Sequence, residues 1–137
     1  MSDGFALAFQ KGVRSALVAS SEVSSYVSTR IYDEPPTSVT YPFIRFGNIT
    51  PNADDTDGSI GAEVSMNIEA FSQATGRVEA TQVAEAVRAA LHRSESSVTV
   101  TGFNLVELRC DNYVVTRNSD DRGHTASVII TAMLETA

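Results

Sequence analysis

The hydrophobic pattern of the chain begins with a helical segment. Between Phe5 and Leu17 the apolar residues recur every three or four positions, which is the spacing of one face of an α-helix, and the opposite face is polar. Asp3 precedes this segment and is expected to cap it. Gly12 interrupts the apolar face, where it costs about 1 kcal/mol relative to alanine. We therefore predict a helix over 5–17 with another segment packed closely against Gly12.

Two later segments also have helical spacing. In the serine-rich stretch 20–28 the apolar residues are spaced for a short helix. Residues 80–91 repeat apolar positions at helical intervals and carry their charges on the far side. We predict one short helix and one long helix here.

Strands are predicted before and between these helices. A short strand at 30–32 precedes two prolines that cannot donate to a sheet ladder, and a second strand is predicted at 41–47. Residues 64–70 alternate between apolar and polar, which is typical of a strand with one buried face. The polar residues 48–62 are predicted to form a long loop, at the upper end of what compact domains tolerate.

The last third of the chain is predicted to be β. Strands are expected at 98–100, 103–110 and 113–117, followed by a long final strand whose apolar face runs from Ala126 to Leu134. Turn signals separate them at Thr101-Gly102, Asp111-Asn112 and Asn118–Gly123. Such short connections favour antiparallel pairing. The fold class is therefore α+β, a mostly antiparallel sheet with two main helices on one face.

Length and charge narrow the possible functions. The 137 residues fit one domain over 1–137. The formal net charge of −7 repels phosphate backbones and anionic lipid, so sequence-specific binding of nucleic acid is not expected. The single Cys110 cannot form an internal disulfide, and no apolar leader or run of the roughly 18–20 residues that span a bilayer is found. We expect synthesis in a reducing cytoplasm and no membrane association.

Few residues are suited to catalysis. A nucleophilic mechanism needs a base beside the attacking group, and His92 and His124 are the only imidazoles. His92 ends a predicted helix beside Arg93, where a cation interacts favourably with the helix dipole, and His124 lies in a polar turn. Cys110 is expected to be a buried small hydrophobe. We predict neither an enzyme nor a cofactor.

An acidic cluster in the predicted loop matches a calcium-binding loop only in part. Its members are Asp54, Asp55, Asp57 and Gly58. With Gly58 in the sixth position, Ala53 and Val64 occupy the first and twelfth positions, which must supply oxygen ligands. The same carboxylates would repel a phosphate from the neighbouring glycines. No metal site is predicted, and the cluster is interpreted as a solvated acidic loop.

The final strand suggests a route to assembly. Its polar positions, Ser127, Thr131 and Glu135, suit a strand at the sheet edge, where unused backbone groups can pair with a neighbouring subunit. A head-to-tail contact of that kind closes into a ring. The alternative is a strand covered by its own chain, and both stay open.

Several segments occur in an order that is found in a known family. They are the N-terminal amphipathic helix, Arg30-Ile31-Tyr32-Asp33 with prolines following, Tyr41-Pro42-Phe43-Ile44 running into Gly47, Ala70 to Arg77, the alanine-rich helix to His92, and the closing strand after Asp120 to His124. In this order they resemble the tail-completion or tail-terminator proteins of long-tailed phages and gene transfer agents. The resemblance covers nearly the whole chain.

The resemblance implies a non-enzymatic structural protein of a phage or gene-transfer-agent particle. Proteins of this family form a ring, usually of six subunits, that ends the tail tube and offers the joining surface to the head connector. The implied partners are further copies of the chain, the tail tube protein and a connector or stopper protein. DNA would pass through the acidic ring without specific binding, because repulsion prevents it from sticking.

This picture assigns roles to five charged residues. The 48–62 loop is expected to project from the ring, with Asp54, Asp55 and Asp57 facing the tube or the channel. Arg88 and Arg117 are expected to meet a neighbouring subunit's carboxylates. The alternative function is a small cytosolic α+β ligand-binding or regulatory module that acts as a monomer or dimer.

Overall fold

The computed structural model describes residues 4–55, 60–118 and 123–137. The elements in these ranges are α1 (Phe5–Ala19), α2 (Ser21–Val27), β1 (Ile31–Tyr32), β2 (Phe43–Ala53), β3 (Gly61–Ser72), α3 (Val78–Leu91), β4 (Phe103–Arg117) and β5 (His124–Thr136). The predicted α+β class is confirmed, and α1 and α3 are the two main helices. The predicted short helix is α2, which Ser20 caps by accepting a hydrogen bond from the Val23 N–H at 3.2 Å.

The five strands form one sheet in the order β1-β2-β3-β5-β4. Only β1 and β2 are parallel neighbours, and the other pairs are antiparallel. The final strand β5 therefore lies inside the sheet, so of the two alternatives left open for it the strand covered by its own chain is the one observed, and an edge position is excluded. The alternate apolar residues of its inward face, Ala126, Val128, Ile130, Ala132 and Leu134, are buried, which favours an interior position beneath the helices over an edge.

One face of the sheet carries the core. Alternate residues of β3 and β5 point into it, and α1 and α3 cover them with their apolar faces. The largest fully buried side chains are Phe9, Leu17, Ile31, Ile44, Met66, Ile68, Leu91, Leu108, Ile130 and Leu134. The opposite face has no covering element among the described residues, so it is open to solvent or to a partner.

The predicted loop over 48–62 is mostly strand. β2 continues to Ala53 and pairs with β3 as far as Ala53↔Ala62, so the connection is only residues 54–60. Residues 50–53 are exposed, because they extend along the sheet beyond the short β1. A polar strand without a buried face lacks the alternation that predicts strands.

Three predicted details near the helices and β4 differ from the structure. The Asp111-Asn112 turn is a β-bulge inside the continuous β4. Residues 98–100 are not a strand, although Val98 and Val100 are buried. The N-cap of α1 is Gly4, without a side-chain cap, and the predicted cap Asp3 lies outside the described residues.

The close contact expected at Gly12 is present. A Cβ atom at Gly12 would meet the carbonyl of Thr99, so the segment before β4 crosses α1 at this glycine. None of the described helices is long and apolar enough to traverse a bilayer.

Candidate assembly surface

The outer side of β4 is an edge of the sheet, because β5 pairs with its other side. In an antiparallel ladder the backbone groups of alternate residues point away from the neighbouring strand. Leu108 is one of these residues. Its N–H donates to Glu95 Oε2 at 2.9 Å, and its carbonyl accepts from the Arg93 N–H at 2.9 Å. The backbone of Leu108 is therefore unavailable to a further strand.

Cys110 is covered in the same way by the end of α3. Its N–H donates to His92 Nδ1 at 3.0 Å, and its carbonyl accepts from Arg88 Nε at 3.0 Å. The predicted position of His92 at the helix end is confirmed, since it is the C-cap residue. Nδ1 of the ring is thus the acceptor of this hydrogen bond. The prediction that Arg88 meets a neighbouring subunit's carboxylate stays a prediction.

Arg93 and Arg109 connect the acidic side chains along this covered edge. Arg93 Nη1 lies 3.2 Å from Glu107 Oε2 and 3.4 Å from Glu95 Oε2. Arg109 Nε lies 3.8 Å from both Glu107 Oε1 and Asp111 Oδ2. Both arginines are about half exposed, so each ion pair contributes at most about 1 kcal/mol. The ion pairs orient the segment after α3. The hydrogen bonds to Leu108 and Cys110 are what occupy the backbone groups of the edge.

Glu95 makes the cover sensitive to acid. The Leu108 N–H bonded to its carboxylate, together with its own backbone N–H and the nearby Arg93, holds its pKa below the ordinary value of 4.5. A depressed pKa in the folded state contributes stability above the ordinary pKa and loses it as the pH falls through the folded value. The cover is therefore expected to weaken in acid.

We expect Glu95→Gln to have a lower Tm than the wild type at about pH 7, with the gap narrowing at about pH 3. The measurement is thermal unfolding by circular dichroism at both pH values. Glu63→Gln, an exposed substitution in β3 away from any helix end, is the control and should change the Tm little at either pH. A gap that is equally wide at both pH values would contradict the role given to the carboxylate.

The C-terminal half of β4 has no cover of this kind. The alternate residues of this half are Tyr113, Val115 and Arg117. They lie opposite the same alternate set of β5 residues as Leu108 and Cys110 do, so their N–H and C=O groups also point away from β5. No backbone hydrogen bond from another element reaches these groups among residues 4–55, 60–118 and 123–137. We call residues 113–117 the free half of β4.

Arg117 lies at the end of the free half. Its side chain is exposed and has no ion pair with any carboxylate of the described part of the chain. Its predicted contact with a neighbouring subunit stays a prediction. The side chain is available for such a contact, whereas Arg88 already holds the Cys110 carbonyl.

The charged residues of β4 are a sequence signal of an edge strand. β4 carries four charged side chains near its edge or bulge, whereas β5 carries only Glu135 after its first residue. Charged residues along a strand are a common protection of sheet edges against aggregation. The four are Glu107, Arg109, Asp111 and Arg117.

The open face of the sheet is mixed in character. Beside the free half of β4, Val114 is 49% exposed and Ile129 on β5 is 38% exposed. At the other side of the face, an aromatic group lies beside an ion pair in which Arg45 Nη2 is 2.7 Å from Glu69 Oε1. Arg45 also lies 4.9 Å from the centre of the Phe71 ring. The aromatic group consists of Tyr32, Tyr41, Phe43 and Phe71.

The two described aspartates of the acidic cluster lie at the β2–β3 connection. Asp55 Oδ1 accepts from the Gly61 N–H at 3.1 Å, and the Asp54 N–H donates to the Gly61 carbonyl at 3.0 Å. Asp54 also lines a cleft of about 340 Å³ that includes Arg93 and Glu107. Asp55 thus stabilises the turn itself, and Asp57 lies outside the described residues.

Among the candidates for chemistry, His92 lies against the backbone N–H of Cys110, whereas His124 lies at the start of β5. Cys110 is fully buried, and burial raises the pKa of its thiol, which disfavours the reactive thiolate. His124 is buried at the start of β5 instead of lying in a polar turn, and its Nδ1 has no hydrogen-bond partner among the described residues. The described part of the chain brings together no three His, Cys, Asp or Glu side chains that could hold a metal.

Two comparisons with known proteins match nearly the whole chain. The family model described as Tail completion protein gp17 matches residues 11–135. A chain in the solved structure titled "Virion of native gene transfer agent (GTA) particle" is 22% identical, with a TM-score of 0.87 over 98% of this chain and 99% of that chain. At this identity the second match shows a shared fold. No curated protein matches the chain.

Proposed function

The chain belongs to the tail completion protein gp17 family, whose model spans residues 11–135, and from this premise we propose that it forms a ring at the head-proximal end of a phage or gene-transfer-agent tail. The ring ends the tail tube and provides the surface that joins the head connector. Its partners are other copies of the chain, the tube protein and the connector or stopper protein. The protein acts by shape and self-association, without a catalytic step.

The family match carries this proposal, and the molecule's two unlike sheet edges support it. A ring of identical subunits needs two different complementary patches on each copy. The molecule has two unlike edges, β4 and the β1–β2 side, and each is covered over only part of its length, which supports their proposed use as these patches. The similar chain from a gene transfer agent virion has the same fold over nearly its whole length.

The charge suits a passage for DNA. Because each chain has a net charge of −7, a ring of such chains carries a strongly negative charge. That charge disfavours lasting contacts with the phosphates of DNA. We propose that the short β2–β3 connection, which carries Asp54 and Asp55, faces the tail tube or the channel of the ring. Asp57 belongs to the same connection and keeps the same proposed role.

Native mass spectrometry tests the proposal, first with the protein alone and then with purified tail tubes. One chain has a mass of 14.7 kDa, so a ring of six is expected at about 88 kDa. Particles that lack the protein should yield headless tails of irregular length in electron micrographs. Normal tails joined to heads in its absence, or a species no larger than a dimer under both conditions, would contradict the proposal.

A further inference from the structure

We propose that the free half of β4 binds the uncovered edge of β2 in a second copy of the chain, so that Arg117 enters an acidic recess beside that edge. This inference rests on the proposed function, because a ring requires a head-to-tail contact between unlike patches. It identifies the two patches and the charge pair that aligns them.

The uncovered stretches of the two edges are similar in length. β1 pairs with β2 only at Ile44 and Arg45, which leaves residues 47–53 without a paired strand on that side in the described part of the chain. On β4, the segment after α3 covers Leu108 and Cys110 and leaves 113–117 free. Each stretch is therefore five to seven residues long, a common length for a strand pairing, and the backbone groups of its alternate residues are unpaired.

The strand directions also suit this pairing. Following the sheet from β2 through β3 and β5 to β4 reverses direction three times, so β4 runs antiparallel to β2. A rotation about an axis along the strands preserves their directions. The β4 strand of one copy then meets the β2 strand of the next in antiparallel orientation, which is the more stable arrangement per residue.

Charge complementarity distinguishes this contact from others. An open recess of about 760 Å³ lies beside Gly47 and Asn48, where β2 loses its neighbour, and exposed Asp33 and Glu34 form its acidic rim. The recess also contains Arg45, but that guanidinium is already paired with Glu69 at 2.7 Å. Neither rim carboxylate has an ion pair among the described residues.

Antiparallel pairing brings the two charged regions together. Residues whose backbone groups point out of the sheet must lie opposite each other in such a pairing, which sets Val115 opposite Pro51. In this register Arg117 at the end of β4 lies opposite Ile49, next to Asn48 at the start of the uncovered part of β2. Its side chain is then next to the recess. Val114 and Ile129 lie on the open face beside the junction, where a neighbouring copy would remove part of their exposed apolar surface from water.

Pro51 limits what else can add to β2. It pairs with Val64, and its nitrogen points away from β3, so one donor is absent from the edge. A proline at this place weakens indiscriminate strand addition and leaves the choice of partner to the flanking charges. A symmetric contact between two β4 strands would use neither the recess nor β2.

A charge exchange tests the contact in the full chain. We expect Arg117→Glu to lower the ring population by about tenfold or more, and Asp33→Arg with Glu34→Arg to do the same, because each places like charges opposite each other. The combined triple variant should recover most of the ring. Mixing the two defective proteins should also recover it, since every contact then joins compatible patches.

The control is Arg77→Glu, which makes the same charge change at another exposed arginine, the N-cap of α3. It should leave the ring intact. Circular dichroism and Tm show that each variant is folded, and native mass spectrometry with tail tubes present measures the ring. Loss of the ring with Arg117→Glu, its recovery in the triple variant and an intact control together support the contact.

Other outcomes overturn it. A ring that is indifferent to Arg117→Glu, or that is lost equally with Arg77→Glu, removes Arg117 from the interface while leaving the proposed ring in place. Sensitivity to Arg117→Glu without any effect of the Asp33 and Glu34 changes would indicate a symmetric β4 contact. A wild-type chain that forms no ring even with tubes would overturn the proposed function together with this inference.

Discussion

Replacing Gly123 with alanine is expected to lower the free energy of unfolding by about 3 kcal/mol or more. Gly123 has a φ of 106°, a conformation that residues with a side chain rarely adopt. An added Cβ would also run into the carbonyl of Ser72 and approach the Cα of Gln73 to 2.9 Å. Both obstacles are backbone, so no side-chain rearrangement removes them.

The position matters because Ser72 connects the end of β3 to α3. Ser72 is fully buried, its Oγ donates to Glu79 Oε1 at 2.7 Å, and the same Oγ accepts from the Ala74 N–H at 3.1 Å. Moving the Ser72 carbonyl would disturb both bonds. The loss of stability is therefore expected to include the β3–α3 connection as well as the β4–β5 hairpin.

Urea unfolding measures the effect, with Gly102→Ala as the matched control. Gly102 has a φ of 89°, but nothing lies within 4 Å of its added Cβ. It therefore reports backbone strain alone, about 1–2 kcal/mol. Equal losses at the two glycines would show that the contact with Ser72 contributes nothing.

The second large effect is expected for Gly12→Ala, a loss of about 2–3 kcal/mol. Gly12 is buried in the middle of α1, and its added Cβ would collide with the Thr99 carbonyl and lie 3.4 Å from Val100 Cγ2. Alanine is otherwise favoured over glycine inside a helix by about 1 kcal/mol. The collision must therefore outweigh a gain, and the residues at 97–101 must move away from α1.

Gly76→Ala is the control for this second substitution. No atom lies within 4 Å of its added Cβ, and it precedes α3 in an exposed position. Its effect should stay within about 0.5 kcal/mol, as for most surface changes. A Gly12→Ala protein as stable as the wild type, or more so, would show that the contact between α1 and Thr99 is loose.

Much of the candidate surface escaped prediction because its residues act through distant partners. Glu95 and His92 are ordinary polar residues near a helix end, and only the folded chain brings them to the N–H groups of Leu108 and Cys110, 13 and 18 positions later. No local pattern encodes such a hydrogen bond. Arg117 was selected from the sequence, and the fold adds that it lies on an uncovered edge.

The errors in strand assignment have the same origin. Pro51 and Asn52 have the composition of a loop, yet they lie in β2 because β3 offers them a partner across the sheet. The Asp111-Asn112 pair has the composition of a turn, yet β5 continues opposite it and absorbs one extra residue as a bulge. In both cases pairing with a distant strand outweighs local preference.

Local periodicity was enough to establish the three helices, the inward face of β3 and β5, the α+β class and the close contact at Gly12. These features follow from the repeat of apolar side chains within a single segment and from the burial of those side chains away from water. The order of the strands, the position of the open edge and the cover over Leu108 and Cys110 depended on the assembled fold. Backbone groups are the same in every residue, so which of them stay unpaired is decided only when all strands have found their neighbours.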